Sequence, residues 1–546
     1  MKTRSRYHIV LSLALLSLPL STPCKGAGFP DELFTRAERT HFTETSLHND
    51  VMAFVRTLSK LSDLAHLEIY GKSVQGRGFP LVVMADPPVR TPDEAKQSGK
   101  TVIYIQGNIH AGEVEGKEAS MEIMREIAFS PKRALLSDQI VLFGPNYNPD
   151  GNDALGQNRP SQDGSPLLTG TRSSGEGYDL NRDGLRCEAV ETKAMIKHVI
   201  NKWNPVMFID LHTTNGSWHG YPITYAPGNH TAGHPGTTDY LMNTLFPAVT
   251  DTVRQRSGME MFLYGNFDRG SWPPTQYSGT PHMPRFLTNS MALKNKLAIL
   301  VETFAHDRFD KRILSNKVFL YSVLEYTNAH GNEIRDLINK IEHETIKQIT
   351  DQAGSLQKGI RFEVAQLGAP SDLLVYETVI NPKAENSRNQ WHRTGRRVWI
   401  DNVKLMQKHI PTQLSTVPRG YVFPAELSSV ADKLKEHGVQ VDILKENTAF
   451  TGEEFTVTHY SRQEREYQKH HLVTIEGHFH KKRITMPKGS FVVDLAQAYA
   501  YLIFYALEPE ADDGLTVWNY FDDYLIKHGV ENGNTAHPVF KYYSKK

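Results

Sequence analysis

Four short apolar, β-branched runs separated by helical patterns constrain this sequence more than any other feature. The runs predict strands at residues 101–106, 139–144, 206–211 and 296–301. Between them, apolar residues recur at helical spacing over residues 115–129, 188–203 and 239–256. Strands without polar alternation that alternate with helices are typical of a buried sheet with helices on its faces. We therefore predict an α/β fold with a mixed, largely parallel sheet covered by helices.

Polar residues follow each of the four predicted strands. His110 and Glu113 come after the first strand, and residues 148–151 (NPDG) come after the second. His212 follows the third strand and Glu302 the fourth. Ligands of open α/β sheets bind beyond the carboxyl ends of the strands. The sequence therefore predicts a functional site at this edge of the sheet.

The residue types at this edge favour a metal site. His110 and Glu113 are three residues apart, so a helical turn would point both side chains the same way. With His212 they make two imidazoles and one carboxylate, which is the ligand set of many catalytic zinc sites. Glu302 ends an apolar strand, and burial raises the pKa of a carboxyl group towards that of a useful general base. Each residue alone would be unremarkable, so the prediction depends on the set.

Residues 179–182 (DLNR) add a carboxylate, an amide and a guanidinium within four positions. A zinc-bound histidine usually gives its second ring nitrogen to a carboxylate, and Asp179 or Asp210 can fill that role. Arg182 with Asn181 can clamp a substrate carboxylate, because the planar guanidinium fits two oxygens. In isolation these four residues would be a solvated turn.

In order along the chain, the motifs GNIHAGE, NPDG, GYDLNRD, DLH and LVET make residues 67–312 resemble the M14 zinc carboxypeptidases. The resemblance implies one Zn²⁺ per chain, bound by His110, Glu113 and His212. It also implies a metallocarboxypeptidase that hydrolyses C-terminal peptide bonds of a peptide or peptide-like substrate. In that reaction a zinc-activated water attacks the carbonyl, and Glu302 acts as general base and acid.

The resemblance also assigns the residues that surround the ligands. Asp179 is the implied partner of His110, and Asn181 with Arg182 would hold the terminal carboxylate of the substrate. Arg159 would polarise the scissile carbonyl. Two further candidate substrate contacts are Tyr277, nearest to the position of a tyrosine that closes on substrate, and Arg285.

The N-terminal segment predicts export. Lys2, Arg4 and Arg6 precede an apolar run at residues 9–20, and small and polar residues lead to Gly26. This pattern is typical of a secretory signal, and the run is shorter than the ~20 residues that span a bilayer. We therefore predict a signal peptide at residues 1–26, no transmembrane anchor, and a periplasmic or secreted protein.

We predict three regions after the signal peptide. They are a catalytic domain at residues 27–355, a connecting region at 356–417, and a smaller C-terminal accessory domain at 418–546, of α+β or β-sandwich-like type. In the last region His478 and His480 lie two apart, which is interpreted as a strand surface rather than a second metal site. The formal net charge is zero, so nothing indicates a nucleic-acid partner.

Two other functions remain open at the level of sequence. A zinc amidase or deacylase acting on cell-wall peptides or N-acyl amino acids would use the same ligands, and a binding protein would keep only the fold. The NPDG motif and the pair Asn181 and Arg182 favour the peptidase over the deacylase. Retention of Glu302 argues against a binding protein, which has no chemical need for a base.

Overall fold

The computed structural model describes residues 28–159, 166–214, 216–229, 232–267, 272–381, 383 and 391–545. The predicted signal peptide lies outside these residues. Within the described ranges, no helix combines the length and the apolar character that a membrane crossing requires.

The N-terminal part of the chain alternates strands and helices. In chain order its elements are α1 (Arg36–Arg39), α2 (His48–Leu61), β1 (Ala65–Lys72), β2 (Gly78–Met84), α3 (Pro92–Ser98), β3 (Thr101–Gly107), α4 (Glu115–Phe129), β4 (Gln139–Gly144), α5 (Pro149–Asp153), α6 (Val190–Met195), α7 (Asn201–Trp203), β5 (Met207–Thr213), β6 (Ile223–Pro227), α8 (Gly236–Tyr240), α9 (Phe246–Ser257), β7 (Met261–Leu263), β8 (Asn266–Phe267), β9 (Gln276–Ser278), α10 (Leu287–Leu293), β10 (Leu297–Thr303), α11 (Phe309–Ala329) and α12 (Gly331–Gln352).

Eight of these strands form one mixed sheet in the order β1-β2-β4-β3-β5-β10-β6-β7. The central strands β4, β3, β5 and β10 run parallel to one another. The strands β1, β2 and β6 join through antiparallel pairings. The predicted α/β fold with a mixed, largely parallel central sheet is therefore confirmed, and each predicted strand lies within two residues of its observed bounds.

Helices cover both faces of this sheet. Successive residues of β3 are fully buried but enter different clusters: Ile103 and Ile105 pack with α4, α9, α11 and α12. Tyr104 packs instead with residues of α6, α7 and α10. Because both faces are apolar, the strands contain the uninterrupted hydrophobic runs that identified them in the sequence.

The described residues of the C-terminal part form two further sheets and three α-helices. Its elements are β11 (Gln357–Gln366), β12 (Ser371–Ile380), β13 (Trp391–Thr416), β14 (Gly420–Phe423), α13 (Ser428–Glu436), β15 (Asp442–Ile443), β16 (Thr448–Arg462), β17 (Val473–Met486), β18 (Phe491–Asp494), α14 (Ala500–Leu507), α15 (Asp522–Lys527), β19 (Thr535–Ala536) and β20 (Phe540–Lys545). Strands β14 to β20 form a seven-stranded sheet whose path is β15-β18-β14-β20-β16-β17. With its helices this sheet is an α+β arrangement, one of the two types predicted for the C-terminal domain.

Two features differ from the simplest interpretation of the sequence. The region predicted to connect the domains is a folded sheet, in which β13 pairs with β11, with β12 and with β9 of the N-terminal part. The chain after β10, where residues 312–352 have helical periodicity throughout, forms two helices that meet at His330 and Gly331. A side chain at Gly331 would meet the hydroxyl of Thr101 at 2.6 Å, so the second helix starts in close contact with β3. The helical periodicity continues across this junction, which is why it does not reveal the break.

Candidate active site

The first part of the site is the turn between β3 and α4. Asn108 has φ 67°, a left-handed conformation that asparagine tolerates better than most residues. The turn then closes with a hydrogen bond from the Glu113 amide to the His110 carbonyl at 2.8 Å. It returns the chain into α4, where a side chain at Gly116 would meet Leu211 of β5 at 2.5 Å. This close contact holds the turn against the strand that carries His212.

His110, Glu113 and His212 converge, as predicted from the sequence. The His110 Nδ1 atom lies 3.0 Å from Glu113 Oε1, and the His212 Nδ1 atom lies 3.0 Å from Glu113 Oε2. The two Nδ1 atoms are 3.2 Å apart. Among the described residues, this is the only group of three or more His, Cys, Asp or Glu side chains placed to hold one metal ion.

The second ring nitrogen of each histidine meets a carboxylate. His110 Nε2 lies 3.2 Å from Asp179 Oδ1, and His212 Nε2 lies 3.0 Å from Asp210 Oδ2. Gln106 in turn donates from Nε2 to Asp210 Oδ1 at 3.1 Å. Such contacts fix the ring orientation and direct both Nδ1 atoms to the same point. A buried set of two imidazoles and one carboxylate, oriented in this way, fits Zn²⁺.

Glu302 lies beside this group. It is only 8% exposed, and no described protein group hydrogen-bonds its Oε2 atom. Burial raises the pKa of Glu302 to about 8; His212 opposes the increase and the Glu113 carboxylate adds to it. A bound dication would lower that pKa towards neutrality. The free carboxylate oxygen can therefore exchange a proton near neutral pH.

Two arginines lie at the ligand group. Arg159 donates to Glu113 Oε1 at 2.6 Å and to the carbonyl of Thr214 at 2.9 Å. Arg172, which the sequence analysis missed, donates from Nε to Asp179 Oδ2 at 2.9 Å. Its NH1 atom lies 3.7 Å from Glu113 Oε1, while 40% of its side chain stays exposed. Arg172 lies in a Ser- and Gly-rich segment that has no recognisable motif. The only sequence signal for its role is its position seven residues before Asp179.

The segment Leu180–Arg182 is a single 3₁₀ turn that begins at Asp179. The Asp179 carboxylate accepts the Asn181 amide at 3.0 Å, and the Asn181 side-chain oxygen accepts the Leu287 amide at 2.9 Å. Arg182 lies over the ring of Phe286 at 4.3 Å from its centroid, with 23% of its side chain exposed. Asp179 contacts both this turn and His110, so Asn181 and Arg182 lie close to the ligand group.

Tyr277 and Arg285 are not placed as substrate contacts. Tyr277 is fully buried in β9, in a cluster with Tyr221 and residues of β12 and β13. It would have to leave that core to reach a substrate. The Arg285 guanidinium is paired with Asp513 of the C-terminal part, with Nε 2.9 Å from Oδ1. We therefore correct both assignments: Tyr277 is a core residue, and Arg285 joins two parts of the chain.

Tyr264 is a second buried tyrosine that interacts electrostatically with the site; Glu302 also acts on Tyr277. Burial raises the pKa of Tyr264, and the carboxylates of Glu302 and Glu113 add to this increase, which places its hydroxyl within their electrostatic reach. Asn266 donates to that hydroxyl at 3.4 Å. His478 and His480 lie on β17 and do not belong to the ligand group; His480 pairs with Glu454 at 3.2 Å.

Comparison with known proteins finds similarity to one family. The family model described as zinc carboxypeptidase (peptidase M14) matches residues 51–183, which include His110, Glu113 and Asp179. A relative named carboxypeptidase 2 from Trichophyton rubrum is 24% identical over 513 residues, covering 87% of this chain and 84% of that protein. Carboxypeptidase 2 from Trichophyton tonsurans is 22% identical and covers 81% of this chain and 78% of its own length.

Solved structures give weaker matches. A metallo-carboxypeptidase from Burkholderia cenocepacia is 15% identical with a TM-score of 0.39, covering 52% of this chain and 69% of that one. A metallo-carboxypeptidase from Pseudomonas aeruginosa is 18% identical with a TM-score of 0.37, covering 52% and 68%.

The site and the sequence relatives support a zinc-dependent peptidase. The family match over residues 51–183 and the relatives agree on an M14 zinc carboxypeptidase with an additional C-terminal region. They support the predicted hydrolase, which acts on peptide bonds and depends on Zn²⁺.

Proposed function

We propose that this chain removes residues from the C-terminus of peptides, with one Zn²⁺ held by His110, Glu113 and His212. We also propose that Glu302 is the general base and acid. The observation that carries this proposal is the Glu302 carboxylate, which is buried beside the ligand group with an oxygen that no described residue binds. Buried carboxylates are usually paired, so a buried carboxylate with an unbound oxygen beside a ligand group is a candidate proton acceptor.

Zn²⁺, when bound, supplies a Lewis acid that polarises a carbonyl and lowers the pKa of water. Glu302 takes one proton from water as the water oxygen forms its bond to the carbonyl carbon. The same carboxyl group then delivers that proton to the leaving nitrogen as the C–N bond breaks. One proton-accepting group thus serves both halves of the reaction, and atoms and charge balance.

Arg172 and Arg159 are the groups that can stabilise the charge developing on the carbonyl oxygen. Arg159 already makes three hydrogen bonds, to Glu113 and to the carbonyls of Thr213 and Thr214. Arg172 donates from Nε to Asp179, and its NH1 atom makes only a longer contact of 3.7 Å with Glu113 Oε1. These contacts favour Arg172 for the role that the sequence analysis gave to Arg159.

Asn181 and Arg182 are the proposed receptors for the terminal carboxylate of the substrate. The Arg182 guanidinium lies over the Phe286 ring, and its NH1 atom donates to the Asn181 carbonyl at 2.8 Å. The side chain is 23% exposed, and the planar guanidinium fork suits a pair of carboxylate oxygens. Binding of that carboxylate restricts cleavage to the last peptide bond, because an internal segment cannot supply the charge.

We further propose export through a signal peptide at residues 1–26, and a division into regions 27–355, 356–417 and 418–546. The separate seven-stranded sheet supports the last region. The pairing of β13 with β9 means that the middle region shares a sheet with the catalytic part. N-terminal sequencing of the protein recovered outside the cytoplasm tests the signal peptide.

The proposed activity is tested with matched peptides that end in a free carboxylate or in an amide. Zinc-loaded protein should shorten the free acids from the C-terminus, as mass spectrometry would show, and leave the amides intact. Cleavage of N-acyl amino acids or cell-wall peptides, with no shortening of the free peptides, would instead establish an amidase or deacylase.

A further inference from the structure

A tight turn of the C-terminal part, residues 467–470, has an unusual backbone. It joins Tyr467 and His470 through main-chain hydrogen bonds of 2.7 and 3.0 Å. The two residues at its tip, Gln468 and Lys469, have φ values of 53° and 67°. Turns of this kind favour Asn and Gly at the tip, because other side chains are strained in the left-handed region. Strain of this type persists where the surrounding contacts require it.

Those contacts are with the catalytic part of the chain. Gln468 accepts the Asp179 amide through its side-chain oxygen at 2.9 Å. Its carbonyl accepts from Arg186 at 2.7 Å. The Lys469 ammonium lies 4.0 Å from the centre of the Tyr178 ring. Both tip side chains therefore contact the segment that leads into Asp179.

Asp179 connects this turn to the metal ligands. Its Oδ1 atom lies 3.2 Å from His110 Nε2. The carboxylate leaves the main chain one residue before the 3₁₀ turn, so the position of the Asp179 backbone determines where the carboxylate lies. Gln468, Asp179 and His110 form a continuous chain of hydrogen bonds from the C-terminal part to a ligand.

We infer that Gln468 is a positioning residue for the metal centre: by holding the Asp179 main chain it fixes the carboxylate that orients His110. The C-terminal part thus contributes to the catalytic site. This inference rests on the proposed function, since it takes His110 as a zinc ligand.

Other contacts hold the C-terminal part in place without Gln468. The Arg285 and Asp513 side chains are joined at 2.7 Å. His470 and Glu188 are joined at 2.9 Å. Loss of the Gln468 side chain therefore leaves the two parts docked and removes only the contact with Asp179. A substitution at Gln468 that also relieves the backbone strain does not destabilise the turn. Its effect on zinc binding therefore reports the positioning role and not a loss of stability.

The experiment measures the Zn²⁺ dissociation constant of the full chain by competition with a chelator at fixed pH. Gln468→Gly suits the left-handed backbone but removes the acceptor, whereas Gln468→Glu keeps an acceptor oxygen. Loss of a partner of a ligand histidine costs 10–100-fold in affinity, so we expect about tenfold weaker zinc binding for Gln468→Gly, at the lower end because Gln468 acts through Asp179. We expect Gln468→Glu to bind zinc like the unaltered chain.

Asn402→Gly is the matched control, because Asn402 is exposed in β13 with φ 60° and its change relieves the same kind of strain. It should leave zinc affinity unchanged. Unchanged affinity of Gln468→Gly, or equal losses in Gln468→Gly and Gln468→Glu, would overturn the inference. His110→Ala is measured beside them. If it keeps full zinc affinity, the ligand assignment itself fails; if it loses zinc while Gln468→Gly does not, only the positioning role fails.

Discussion

Glu302 of β10 and His212 of β5 occupy directly paired positions on neighbouring parallel strands. Seven consecutive residue pairs fix this register, from Leu297 with Met207 to Thr303 with Thr213. The proposed base and one proposed ligand are therefore positioned by the main-chain hydrogen bonds of the sheet rather than by a loop. Sites built on regular elements hold their geometry more closely than sites built on loops.

Replacement of His110 by alanine is expected to remove the metal. Two ligands remain, and a tetrahedral zinc site needs three from the protein. Metal analysis of the purified variant should show a loss of nearly all bound zinc. His478→Ala is the control and should keep one zinc per chain; a His110→Ala protein with the same zinc content would refute the ligand assignment.

Asp210 should matter for affinity without being a ligand. It is fully buried and its Oδ2 atom lies 3.0 Å from His212 Nε2. Asp210→Asn keeps the shape but removes the charge, so zinc should bind about 10–100-fold more weakly. Chelator competition measures this change. Equal affinities of the variant and the unaltered chain would show that Asp210 does not support His212.

Arg172 is expected to act on the transition state. Arg172→Ala should lower kcat by about 10²-fold, the order found when one donor to a developing oxyanion is lost. Arg172→Lys keeps the charge but not the planar fork, and should recover part of the rate. Steady-state kinetics on zinc-loaded protein tests both variants, and a kcat of Arg172→Ala equal to that of the unaltered chain would exclude the role.

The ion pair between Glu188 and His470 should make stability depend on pH. Burial alone would lower the pKa of His470, but Glu188 raises it above its usual value. Burial alone would raise the pKa of Glu188, but His470 lowers it. The pair therefore stabilises the fold most above the unfolded pKa of Glu, about 4.3, and below that of His, about 6.5. This contribution disappears as the pH rises through the folded pKa of His470.

Glu188→Gln is the variant that tests this pair. The difference in free energy of unfolding between the zinc-loaded variant and the unaltered chain should be on the order of 1 kcal/mol at about pH 5.5 and smaller at about pH 9. The comparison of two proteins at each pH removes the effect of groups that they share. A difference that grows with pH would contradict the account.

The sequence indicated the central strands and the ligand set because each depends on local pattern. The strand around Ile103 and Ile105 is apolar on both faces, and His110 and Glu113 follow it at a spacing that one turn brings together. His212 and Glu302 were predictable because parallel neighbouring strands end at one edge. The family motifs then joined these positions in a fixed order.

Long-range packing decided what the sequence did not indicate. Tyr277 has suitable chemistry, but β9 pairs with β13 and buries its ring, and that pairing spans more than a hundred residues. Arg172 is held at the site by its hydrogen bond to the Asp179 carboxylate. Gln468 of the C-terminal part accepts a hydrogen bond from the Asp179 amide. No local spacing joins Gln468 to Asp179, so only the assembled fold reveals the contact.

The most direct measurement compares Glu302→Gln with the unaltered chain for zinc content and turnover on the same preparations. Glutamine has nearly the same shape but cannot take up a proton from water. The account predicts one zinc per chain in both proteins and a kcat at least about 10³-fold lower in the variant, within the range for loss of a general base. A variant that retains zinc and hydrolyses peptides at the rate of the unaltered chain would contradict the account.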